Sequence, residues 1–343
     1  MCSGVSVVIC CHNGAMRLPQ TLDCLKSQVN LKGIPWEVIL IDNASTDSSA
    51  ALAQELWEEN SLTNMRIIHE GRLGLSIARQ TGFANSTYDL ISFVDDDNRV
   101  ESEWVGKVFK IMKAHPEVGA CGGRSNAVYE SPPPKWLLDH QDKYAIGSQA
   151  NRSGDITRER GWLWGSGLTI RKKAWQQLID LGFAPSLTDR QGIQLSTGGD
   201  IEICLALRLA GWRIWYDDDL ILWHYIPASR MRWNYLCALM TANGEAGVYL
   251  KAYERVYKNL TNDPGSITNK SWITMLFAKF HNMLSHHPLK LIAASVKPLE
   301  GDSDLLYLRY EFGYLRRLIG MNHREYIRWV RSLNHTSWCS TSE

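Results

Sequence analysis

Four short apolar runs alternating with helix-patterned segments restrict this chain to a small set of folds. Residues 5–10 and 36–41 are such runs, with a helical pattern around Leu18 to Gln28 between them. Residues 65–69 precede a helix near Ser76 to Asn85, and the run 90–94 follows and ends at Asp95. Continuous β-branched runs suit strands buried on both faces, and strand–helix–strand alternation at this spacing predicts a parallel, doubly wound α/β sheet. Ligands of such sheets bind beyond the carboxyl ends of the strands.

Three of those ends are polar. They are Cys11-His12-Asn13-Gly14, Asp42-Asn43-Ala44-Ser45-Thr46-Asp47 and Asp95-Asp96-Asp97-Asn98. One polar strand end is ordinary; three on one sheet edge mark a site. Three adjacent acids repel one another, a cost that a cation among them offsets. Hard oxygen ligands select Mg²⁺ or Mn²⁺, with phosphate as a further ligand. The plainer reading of the same residues is a solvated acidic turn.

Composition narrows the function classes. Lys+Arg number 37 against 36 Asp+Glu, so no basic field points to nucleic acid. The start of the chain has no room for a signal-peptide core before the first strand, and no stretch approaches eighteen consecutive apolar residues. Eight cysteines occur without a C-x-x-C pair, and Cys10 and Cys11 are adjacent. These features predict reduced thiols and a cytoplasmic protein.

Further along, residues 101–115 read as a helix and 118–122 as a strand, and an irregular region opens at Ser131-Pro132-Pro133-Pro134. Gly165-Ser166-Gly167 marks a close backbone approach to a ligand, and the segment 131–160 has the character of a lid. Residues 201–210 form a strong helix pattern stopped by Gly211, and 212–216 and 220–223 are strand-like. Beyond Pro227 the pattern is helical, over 230–256, 271–294 and 303–333. The expected organisation is a domain over 1–228, with a nucleotide half to 122 and an acceptor half from 123, and a helical extension over 229–343.

Taken together, these residues resemble the family 2 glycosyltransferases, inverting enzymes of the GT-A fold. The resemblance rests on Val5 to Asn13, Glu37 to Asp47, Gly74-Leu75-Ser76-Ile77-Ala78-Arg79, Asp95-Asp96-Asp97, Gly198-Gly199-Asp200-Ile201-Glu202 and Trp223-His224-Tyr225. It covers residues 4–228 with the motifs in order. Two departures stand out: Gly199 occupies a position where many members carry Glu, and Cys10-Cys11 replace a Pro and a small polar residue.

The resemblance implies a Rossmann-like, mostly parallel sheet flanked by helices, a nucleotide-sugar donor, and a glycan or lipid-linked acceptor. Asp97 and His224 are the implied ligands of Mn²⁺ or Mg²⁺. Cys11, Asn13, Asp42, Arg79, Asp95 and Asp96 are the implied donor-binding residues, and Asp42 with Arg79 leans the donor toward UDP-sugars. Asp200 is the implied base, charged at neutral pH near a helix N-terminus; Glu202 is its runner-up. Trp162 and Trp164 form the expected acceptor platform with Glu202 nearby, by stacking on a sugar face.

Between Leu305 and Arg331 lie six arginines, opposed by Glu311 and Glu325 and interleaved with Tyr, Leu and Trp. This pattern predicts a basic amphipathic helix pair, suited to peripheral contact with an anionic membrane, to a homodimer, or to packing as a plain helical appendage. Two rival functions use the same acids: a metal-dependent nucleotidyltransferase or phosphohydrolase, and a silent nucleotide-sugar-binding module. The first favours a Lys or Arg clamp, and none adjoins Asp95 to Asp97 in sequence. The second needs no base, and Asp200 is present.

Overall fold

The computed structural model describes residues 2–58, 63–189, 195–261, 272–286, 300–335 and 338. In chain order its first half contains β1 (Cys2–Cys11), α1 (Leu18–Lys26), β2 (Trp36–Asn43), α2 (Ser49–Glu58), β3 (Met65–Glu70), α3 (Leu75–Asn85), β4 (Tyr88–Phe93), β5 (Asn98–Val100) and α4 (Trp104–Ala114). There follow β6 (Val118–Tyr129), α5 (Lys135–Leu138), β7 (Gly154–Asp155), β8 (Thr169–Arg171), α6 (Lys172–Asp180), α7 (Gly199–Leu209) and β9 (Arg213–Ile226). Among the described residues four helices follow: α8 (Trp233–Leu260), α9 (Trp272–His286), α10 (Ser303–Gly320) and α11 (His323–His335).

The strands form one sheet in the order β3-β2-β1-β4-β8-β6-β9-β5, with β7 added against β9. Strands β3, β2, β1 and β4 are mutually parallel, whereas β8 runs antiparallel to both β4 and β6. Alternation along the parallel strands builds two cores. Val7, Ile9, Val38 and Leu40 meet Leu18 and Leu22 of α1 and Val105 and Val108 of α4. Val8, Ile39, Ile41 and Ile91 meet Ala78 of α3, Trp175 of α6 and Ile203 and Leu207 of α7 on the other face.

Several elements differ from the pattern reading. The strand-like pieces 212–216 and 220–223 are one strand, β9, whose pairing with β6 slips in register between Gly123 and Arg124. Helix α6 has no counterpart in that reading. The region 303–333 is two helices, because Asn322 takes a left-handed φ of 41° between them. Of the predicted helix 271–294, residues 287–294 lie outside the described ones. The segment 131–160 is not bare loop: Trp136, Leu137, Tyr144 and Ile146 are buried against α8 residues Trp233 and Leu236.

No helix among the described residues is long and apolar enough to cross a membrane. Helices α8 and α10 reach the sheet edge. One stripe of α8, with Asn243, Gly247, Leu250 and Lys251, joins Tyr310 of α10 as one wall of the cavity described next.

Candidate active site

Because β1, β2 and β4 are parallel and in register, Cys11 lies beside Asp42, and Asp95 follows the end of β4 on the same edge. Beyond that edge opens a cavity of about 890 Å³ lined by Cys11, Arg79, Asp95, Asp96, Asp97, Trp162, Trp164, Asp200 and His224. Sequence-distant residues reach it through strand pairing. β5 runs antiparallel to β9 with Asn98 opposite His224, and the Tyr225 N–H donates to the Asp97 carbonyl at 3.0 Å.

The three acids have separate surroundings. Asp96 is turned to Arg17, whose Nε and Nη2 donate at 3.2 and 2.7 Å. Burial pushes its carboxyl up to about 6, against the pull of Arg17. Asp95 accepts from the Ser166 hydroxyl at 3.3 Å. Asp97 lies 3.7 Å from His224 Nε2 and 3.3 Å from Arg230 Nη1. His224 Nδ1 faces the Tyr144 carbonyl at 3.1 Å. A carbonyl only accepts, so Nδ1 carries the proton and Nε2 presents its lone pair toward Asp97.

This donor set fits a hard divalent cation: one carboxylate and one correctly tautomeric imidazole, with room for substrate oxygens. Among the described residues no group of three or more His, Cys, Asp or Glu could enclose a metal. Arg17 and Arg230 also correct the sequence reading, since both reach the acids from distant positions and supply the clamp that local sequence lacked.

Asp200 stands in the first turn of α7, after Gly198 in a left-handed conformation. The sequence reading expected the helix N-terminus to govern its charge; burial governs it instead. Burial and the neighbouring Asp189 carboxylate push it up to about 6, while Arg79 and the N–H groups of Ile201 and Gly165 pull it down. Gly165 is required here: a Cβ would lie 2.7 Å from Arg79 Nη2 and 3.1 Å from Asp200 Oδ2.

Arg79 is buried and donates from Nη1 to Asp189 at 2.6 Å. Asp189 is the residue that sequence reasoning missed. It lies in the irregular stretch, and its links to Arg79 and to the Gly199 N–H, at 2.7 Å, are not legible from any local pattern.

The remaining candidates divide. Asp42 is buried, and its Oδ2 accepts a hydrogen bond from His69 Nδ1 at 2.9 Å. Its Oδ1 is buried without a hydrogen-bond partner among the described residues, and Asp42 itself does not line the cavity, which its neighbour Asn43 does. Asn13 does not line the cavity; its Oδ1 accepts the Thr46 N–H at 2.8 Å and ties the first two strand ends together. Cys11 does line it, and burial raises its thiol far above the usual range. Trp162 and Trp164 reach the cavity with the Arg160 guanidinium 3.7 and 4.7 Å from their ring centres.

The structure does not bring Glu202 to the cavity. Fully buried, it accepts from the N–H groups of Ser186 and Leu187 and from the Tyr253 hydroxyl at 2.9–3.0 Å. Burial pushes it up to about 7. It ties α7 to the preceding loop and to α8. Glu202→Ala is expected to cost about 3 kcal/mol or more by leaving buried donors unmatched, and Glu202→Gln less. Urea denaturation of both variants checks this; equal stability of the Ala variant and the parent would remove that role.

Comparison with known proteins follows the same lines. A family model described as Glycosyl transferase family 2 matches residues 6–178, just over half of the chain. Cholesterol galactosyltransferase of Borreliella burgdorferi is 32% identical over 111 residues, covering 32% of this chain and 29% of that protein. Poly-beta-1,6-N-acetyl-D-glucosamine synthase of Staphylococcus aureus (strain COL) is 23% identical over 239 residues, covering 67% of this chain and 53% of that protein. The chain thus spans about half the length, or less, of these curated relatives. Among solved structures, S. aureus TarS residues 1–349 matches with a TM-score of 0.50 at 12% identity, over 92% of this chain and 90% of that one. That likeness concerns the fold alone.

Proposed function

The chain belongs to glycosyl transferase family 2, and from that premise we propose an inverting transfer of a sugar from a UDP-sugar to an acceptor hydroxyl. Asp200 is the base in this reading. The observation that carries it is the sharing of one cavity by two sets of residues: the Asp97–His224 pair, and an Asp200 held near 6. A donor-handling edge and a proton acceptor then face the same space.

The acceptor oxygen attacks the anomeric carbon while its proton passes to the Asp200 carboxylate. The bond from that carbon to the diphosphate oxygen breaks, and the electron pair leaves with UDP. One displacement opposite the leaving group inverts the anomeric configuration. A base poised near the working pH suits this step, being mostly ionised at pH 7 yet basic enough to accept. Arg79 and the Gly165 N–H hold the carboxylate in place.

Asp42, paired with the cavity-lining Cys11 at the strand ends, is the residue assigned to the imide N–H of uracil, reached by a shift of the adjoining Asn43 segment that lines the cavity. Asp95 suits the ribose hydroxyls, and Ser166 orients it. Asp97 and His224 are the residues that would hold Mn²⁺ or Mg²⁺, which supplies Lewis-acid neutralisation of the diphosphate when bound. Arg17 holds Asp96 away from that role. Residues 1–228 make up the transferase unit in this reading, with α8 and α10 of the extension closing the acceptor side. A glycan, glycolipid or other glycoconjugate acceptor accords with the sterol and polysaccharide named for the relatives.

The test is thermal unfolding with UDP, GDP or dTDP, each with Mn²⁺ and with chelator. UDP at about 100 times its dissociation constant stabilises by about 2.7 kcal/mol. The shift is expected with UDP, to shrink on chelation, and to lose its Mn²⁺ dependence in Asp97→Asn and His224→Ala. No shift with any nucleotide would overturn the donor site.

A further inference from the structure

Of the large apolar side chains left exposed, five cluster on two neighbouring helices: Ile273 (51%), Phe277 (68%) and Phe280 (44%) on α9, and Phe312 (50%) and Ile319 (53%) on α10. Spacings of four and three on α9, and of seven on α10, keep each set on one helix face. The contacts between the two helices place the faces relative to each other. The Trp272 indole N–H donates to the Leu318 carbonyl at 2.9 Å, and Lys279 Nζ meets Glu311 at 2.6 Å. Trp272 thus pairs with Leu318 and Lys279 with Glu311, so the helices run antiparallel.

Each exposed residue except Phe277 follows one of these contact residues by one position: Ile273, Phe280, Phe312 and Ile319. One position is a rotation of about 100°. In an antiparallel pair the opposite chain directions mirror that rotation, so both sets turn to the same side. Phe277, Phe280 and Phe312 fall at one level, with Ile273 and Ile319 near the other end. The result is one apolar patch rather than scattered side chains, of the kind that marks an interaction surface.

Its surroundings are basic. Helix α9 carries no Asp or Glu, and Glu311 of α10 is buried against Lys279. Helix α11 begins beside the patch, with His323 and Trp272 ring centres 6.0 Å apart. Arg324, Arg328 and Arg331, spaced by four and three, line its exposed side, with Glu325 the one exposed acid of that helix. The Tyr and Trp residues that the sequence pattern assigned to a membrane-facing side pack inward instead: Tyr314 and Tyr326 are buried, and Trp329 donates to Ser186.

We infer that the α9–α10 face, with the arginine stripe of α11, docks on an anionic lipid surface. Charge complementarity selects this occupant. A second copy seated on the same face would offer the three arginines one exposed acid from α9 and α11, Glu325, whereas anionic headgroups attract each one while the rings enter the interface. The docking surface is separate from the donor site, so the two readings fail independently.

Co-sedimentation of the full chain with phosphatidylcholine vesicles, with and without about one third phosphatidylglycerol, tests the inference. Binding is expected to the anionic vesicles and to fall at least about tenfold in Phe277→Glu/Phe312→Glu, with the UDP-dependent thermal shift unchanged. Arg324→Glu/Arg328→Glu is expected to remove the preference for anionic lipid. The inference is overturned if the parent binds no vesicle or binds both kinds equally, or if the Phe variant binds as the parent does. Light scattering that finds a dimer abolished by the Phe variant would assign the face to a second copy and overturn it too.

Discussion

Asp200→Asn is expected to lower turnover by about 10²- to 10⁴-fold, the contribution typical of a positioned general base, while UDP binding persists. The substitution is nearly isosteric and leaves the Arg79–Asp189 pair in place, so loss of fold is not the expected cause of inactivity. In the parent, kcat/KM is expected to fall as pH drops through about 6, because the base works only when ionised.

Stability gives a second reading of the same carboxyl. Its folded pKa, about 6, stands above its ordinary 3.8, so the fold favours the protonated form. The stability it contributes is fully present below about 3.8 and lost as pH rises through about 6. Asp200→Asn should therefore match the parent below about 3.8, gain on it as pH rises to about 6, and keep that margin above. Retained activity in the variant would move the base elsewhere; a parent whose kcat/KM lacks an acid limb near 6 would show that the free enzyme holds no such raised base.

Much of the sheet was legible because buried parallel strands write themselves as unbroken apolar runs, and those runs end where the polar motifs begin. Asp95, Asp97 and Asp200 were visible for the same reason: each sits at the terminus of an element that the pattern marks. Their partners were not. Arg17 reaches Asp96 across 79 residues and Arg230 reaches Asp97 across 133, and local pattern carries no such distance. Glu202 shows the converse error. Two residues from Asp200 in sequence, it turns to another side of α7 and serves the core. In the final helices the pattern marked several apolar stripes, and packing on α8 decided which were buried. Phe312 and Tyr314 sit two residues apart on α10; one is half-exposed and the other buried.

Asp189 carries the other large expectation. Its backbone takes a left-handed φ of 52°, it is 5% exposed, and it holds both the Arg79 guanidinium and the Gly199 N–H. Asp189→Ala leaves a buried cation without this partner and is expected to cost about 3–5 kcal/mol in a urea titration. Asp189→Asn tolerates the same backbone conformation, keeps one acceptor oxygen and should cost less. Both remove a negative neighbour from Asp200 and let Arg79 act on it more strongly. The pKa of the base then falls toward its ordinary value, so the acid limb of kcat/KM moves below about 6. A weaker base also transfers the proton less readily, so the plateau rate should drop with it. If the Asn variant folds with its acid limb unmoved, Asp189 only anchors Arg79 and α7, and some other feature of the cavity sets the basicity of Asp200.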